Sequence, residues 1–75
     1  MIRQAELDFE GWRLTVHPNA GRFAWWVISA IDSSDHKVIR HGDEATFDSA
    51  MHESHRTLQS LLRKPVPYPT LLETP

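Results

Sequence analysis

The stretch Phe23-Ala24-Trp25-Trp26-Val27-Ile28-Ser29-Ala30-Ile31 constrains this chain more than any other. It holds two of the three tryptophans and carries no charge. Its β-branched and aromatic residues favour a strand. Side chains along a strand alternate between faces. Phe23, Trp25, Val27, Ser29 and Ile31 therefore share one face, and Ala24, Trp26, Ile28 and Ala30 share the other. Both faces are apolar, which predicts a central strand. One side belongs on the domain core, and the other asks for cover of its own.

The rest of the chain has to supply that core from 75 residues. A single domain of this size buries about 60–65% of its unfolded surface, for a net stability of about 4–8 kcal/mol. Association with a partner or a second copy would reinforce so small a core. There is no cysteine, hence no disulfide and no thiolate metal site. The opening Met1-Ile2-Arg3-Gln4-Ala5-Glu6-Leu7-Asp8 is too acidic and polar for a signal peptide. The apolar stretch is far short of the ~20 residues that span a bilayer. The expectation is a soluble cytoplasmic protein with no membrane segment. Net charge is −2 and the eight Lys and Arg are dispersed, which argues against nucleic acid as a partner.

Ala5-Glu6-Leu7-Asp8-Phe9 and Trp12-Arg13-Leu14-Thr15-Val16-His17 both alternate apolar with polar residues, the pattern of half-buried strands. Glu10-Gly11 between them reads either as a two-residue hairpin turn or as a glycine bulge in one long strand. The hairpin would pair Phe9 with Trp12, Leu7 with Leu14 and Ala5 with Val16. Pro18-Asn19-Ala20-Gly21 is a turn. Pairing His17 with Arg22 across it would set Val16 against Phe23, Leu14 against Trp25 and Trp12 against Val27. This parity puts every apolar pair on one face, and a slip by one residue would mix the faces. Arg13, Thr15 and His17 then lie beside Ala24, Trp26 and Ile28. Asp32-Ser33-Ser34-Asp35 reads as a loop. Lys37-Val38-Ile39-Arg40-His41 reads as a short strand that Gly42 ends.

A helix is predicted over residues 47–63, with Thr46 as N-cap and Pro65 as the stop. Phe47, Ala50, Met51, Ser54, Leu58, Leu61 and Leu62 form a stripe at helical spacing. This stripe should cover Trp12, Leu14, Val16, Trp25 and Val27. The alternate prolines of Pro65-Val66-Pro67-Tyr68-Pro69 favour an extended tail.

Catalytic signals are sparse. His52-Glu53-Ser54-His55 is one residue short of the zinc-protease His-Glu-x-x-His spacing. His41 is the one obvious further ligand, and the helix pair reads as two solvated histidines. No nucleophile elbow or glycine-rich phosphate loop occurs. The expectation is a protein that is not an enzyme and uses no cofactor. Trp26 and Ile28, flanked by Arg13, Thr15 and Arg40, form the candidate contact patch, because aromatics and arginine are enriched at binding hot spots. The alternative is that the N-terminal segment or the tail folds over Trp26.

Three strands, then Gly42-Asp43-x-x-Thr46-Phe47-Asp48-Ser49-Ala50, then an amphipathic helix and a proline-rich segment resemble the small HicB-type antitoxins. The likeness spans residues 12–69. It implies a β-β-β-α domain that binds and blocks a small ribonuclease and often oligomerises. The chain departs from that family at Asp32-Ser33-Ser34-Asp35, where a proline-glycine pair is usual.

The reading is therefore an α+β fold: an antiparallel meander of three or four strands with one C-terminal amphipathic helix on one face. Residues 1–64 form the domain and residues 65–75 an extended proline-rich tail. The expected function is a protein-interaction module that meets a protein partner or a second copy through the outer sheet face. An antitoxin or nucleic-acid-linked regulator is the second reading, and a metal-binding protein the third.

Overall fold

The computed structural model describes residues 2–29 and 37–74. The strands are β1 (Ile2–Phe9), β2 (Trp12–Asn19), β3 (Arg22–Ser29) and β4 (Lys37–Glu44). A helix α1 (Phe47–Leu62) follows, then a fifth strand β5 (Thr70–Thr74). All five strands form one antiparallel sheet in the order β4-β3-β2-β1-β5. The fold is α+β as expected, but the sheet has five strands rather than three or four. The extra strand comes from the segment read as an extended tail. It returns to pair with β1 (Ala5 with Leu71, Gln4 with Leu72).

The Glu10-Gly11 alternatives resolve to the hairpin. Phe9 pairs with Trp12, Leu7 with Leu14 and Ala5 with Val16. Both turn residues have positive φ, at 49° and 83°, the geometry that matches strand twist in a two-residue turn. The second turn differs from the sequence reading. It is the tight pair Ala20-Gly21, again with positive φ at 51° and 82°. Asn19 therefore pairs with Arg22, Val16 with Trp25, Leu14 with Val27 and Trp12 with Ser29. The register lies two residues from the expected one. An even shift preserves parity, so the apolar face stays whole.

β4 also runs further than expected. Gly42 lies inside it, opposite Trp25, because the indole lies against the backbone there and leaves no room for a side chain. The Asp32–Asp35 loop lies outside the described residues.

Thr46 caps α1, its Oγ1 accepting the Ser49 N–H at 3.1 Å. Arg63 ends the helix in the left-handed region, its N–H donating to the Gln59 carbonyl at 2.8 Å. Phe47, Ala50, Met51, Ser54 and Leu58 are buried against Leu14, Val16, Trp25 and Val27, with Trp12, Leu61 and Leu62 packed at the margin. The small residues Ala50 and Ser54 are both fully buried. Ser54 satisfies its hydroxyl by donating to the Met51 carbonyl at 3.1 Å. The helix touches β1 to β4 and does not reach β5.

The link from helix to β5 is pinned at Val66, whose side chain is buried. Its N–H donates to Gln59 Oε1 at 3.1 Å, and His55 Nε2–H donates to its carbonyl at 2.7 Å. The Tyr68 ring packs on His55, centroids 4.9 Å apart. His55 is thus half-buried and bonded to the tail rather than solvated. Gln59 and His55 are one helical turn apart, which lets both reach a single residue of the passing chain.

Candidate contact surface on the helix-free face

The alternation that buries Leu14, Val16, Trp25 and Val27 beneath α1 turns their strand neighbours to the other side of the sheet. Across the middle of that side run Glu6 on β1, Thr15 on β2, Trp26 on β3 and His41 on β4, each paired with the next. The adjoining row is Asp8, Arg13 and Ile28. No helix of the described residues covers them. Trp26 keeps 42% of its surface exposed. The His17 ring stands edge-on to the indole, centroids 5.3 Å apart and planes at 89°. Glu6, Arg13, Thr15, His17, Trp26 and Ile28 line a cleft of about 360 Å³.

Charge on this face is largely neutralised in pairs. Arg13 Nε donates to Asp8 Oδ1 at 2.8 Å. That hydrogen bond, with the guanidinium charge behind it, holds the Asp8 carboxyl below the usual carboxylate range and raises Arg13. Near the β3–β4 end, Arg22 Nε donates to Asp43 Oδ1 at 2.7 Å. What remains at the centre is an exposed indole with a branched aliphatic neighbour and an imidazole at its edge.

Four of the five expected contact residues come together here: Trp26, Ile28, Arg13 and Thr15. Arg40 does not. It pairs with Val27 and lines a cleft of about 440 Å³ with Arg56, Thr57, Ser60 and Leu61 of the helix. The cause is a bulge. Ile28 pairs with Val38 and Val27 with Arg40, so Ile39 is extra, and one inserted residue reverses the parity beyond it. His41 therefore takes the place beside Trp26. His17 was legible from the alternation, though not as a ring against the indole. The tail does not cover Trp26: β5 lies beyond β1, at the edge of the sheet.

Among the described residues no three His, Cys, Asp or Glu side chains gather as metal ligands. His41 and the helical His52 and His55 lie on opposite sides of the sheet. Among the described residues no helix is long and apolar enough to cross a membrane. No family model, curated protein or solved structure matches this chain.

Proposed function

We propose that this chain is a cytoplasmic, non-enzymatic interaction module that docks another protein on the helix-free face of its sheet. Trp26 and Ile28 form the apolar centre, with Arg13, Thr15 and His17 around them. The observation that carries this reading is Trp26, a large aromatic 42% exposed in the middle of a sheet rather than at its rim. A central strand position makes its backbone rigid, so the indole is presented with little further ordering cost. Rigid aromatic anchors beside arginine are the usual centres of protein contacts, and a binding cleft lined by alternate side chains of a sheet needs no moving part.

Photo-cross-linking in the native cell tests this reading. A benzophenone amino acid at position 26 should capture one defined protein, and the same group at Ser60 on the helix should not. Ile28→Asp should abolish the adduct at position 26. Equal capture from both faces, or none from position 26, would overturn it.

A further inference from the structure

The sheet has two edges, and they are not alike. β4 forms one of them. Its eight residues include Lys37, Arg40, His41, Asp43 and Glu44, and a bulge interrupts its pairing with β3. Charges and bulges are the ordinary means of keeping an edge strand from pairing with another chain. β5 forms the other edge and has neither defence over Thr70-Leu71-Leu72. Those residues carry no charge and no proline. Leu71 and Leu72 point to opposite faces and are 47% and 39% exposed. Leu71 lies on the helix side, opposite the buried Ala5, yet α1 does not reach it. The edge is thus apolar on both faces and bonded on one side only.

We infer that β5 pairs antiparallel with β5 of a second copy of this chain, across a twofold axis at Leu71. Leu71 then meets Leu71, and each Thr70 meets a Leu72. The row Trp25-Val16-Ala5-Leu71 on the helix side continues into its equivalent in the other copy. Position 73 of each copy falls opposite position 69, so the two Glu73 residues stand at opposite ends of the pairing. A parallel, in-register pair would set them one strand spacing apart, about 4.8 Å, and like charges directly opposite oppose pairing. A strand with leucine on both faces is its own best complement, and an isologous contact closes at two copies. Pairing through one short strand covers less than the ~1,200 Å² of a standard interface. The dimer is therefore weak and depends on concentration.

The absence of native cysteine makes the test direct. In an antiparallel pair, opposite Cα atoms stand about 4.5–5.5 Å apart, inside the range a disulfide bridges. Leu71→Cys should oxidise to a covalent dimer at least about tenfold faster than Ser60→Cys on the helix, since only the former is held within bridging distance. Sedimentation of the unaltered chain should show a concentration-dependent dimer that Leu72→Lys, on an already exposed side chain, removes without lowering the melting temperature measured at concentrations where the unaltered chain is monomeric. A chain that stays monomeric to about 1 mM would overturn the inference. So would cross-linking of Leu71→Cys no faster than of Ser60→Cys. Neither result bears on the Trp26 face, which lies on a different strand.

Discussion

Trp25 and Gly42 face each other across β3 and β4, and the indole occupies the space a side chain at position 42 would need. A Cβ there would lie 2.6 Å from Trp25 Cε2, Cζ2 and Nε1, closer than any real contact. Glycine in a strand interior commonly marks such an approach. Trp25 is 7% exposed, and its Nε1 has no hydrogen-bond partner among the described residues. Its place is held by packing alone.

Gly42→Ala should therefore cost about 1–3 kcal/mol, the usual penalty for overpacking a closed site. The same change made on a Trp25→Leu background should cost much less, because the clashing ring is gone. Urea denaturation of the parent and the three variants of this cycle measures the coupling. Simple additivity would show that Gly42 is there for another reason.

Leu58 is fully buried between helix and sheet. Leu58→Ala should lose about 2–5 kcal/mol, a large part of what a domain this size has. A loss under about 0.5 kcal/mol, the range of surface substitutions, would contradict the helix packing.

The tail pin makes a local prediction. Gln59→Ala leaves the Val66 N–H without its acceptor, and His55→Ala leaves its carbonyl without a donor. Each should cost about 1–2 kcal/mol. Hydrogen exchange should quicken at those β5 amides that bond to β1, alternate residues of the strand, while β2 and β3 keep their protection. Uniform acceleration across the sheet would mean that β5 does not open as a separate unit.

Asp8 gives a pH dependence with a definite sign. Its carboxyl is lowered by the hydrogen bond from Arg13 and by the charge behind it. A carboxyl lowered on folding adds stability that is complete above its unfolded pKa and is lost as pH falls through the folded one. Arg13→Gln should raise the Asp8 titration midpoint toward the ordinary carboxylate range, read from its carboxyl carbon by NMR. The small stability gap between variant and parent should close below about pH 4. A midpoint that does not move would show that the pair is absent in solution.

The two faces of the sheet were legible because alternation over Trp12–His17 and Phe23–Ser29 has only one parity that joins Leu14, Val16, Trp25 and Val27. The pairing register was not, because the Pro18–Gly21 stretch admits turns of two lengths, and only backbone geometry selects Ala20-Gly21. Arg40 was placed on the wrong face because nothing in Lys37–His41 announces a bulge at Ile39. β5 was hidden for another reason. Its pairing with β1 joins residues about seventy apart in the chain, and the prolines at 65, 67 and 69 speak for an extended chain without saying where it goes. At the contact surface, Trp26, Ile28, Arg13 and Thr15 could be grouped from parity alone. The edge-on His17 ring depends on a rotamer that no sequence pattern carries.

The central claim is that Trp26 serves a partner and Trp25 serves the fold. The measurement that tests it is the affinity of the cross-linked partner for Trp26→Ala, taken beside the unfolding midpoints of Trp26→Ala and Trp25→Ala. Trp25→Ala should lose about 3–5 kcal/mol of stability. Trp26→Ala should lose clearly less, yet weaken the partner by about 2 kcal/mol or more, roughly thirtyfold. Equal destabilisation by the two substitutions, with affinity for the partner unchanged, would contradict the account.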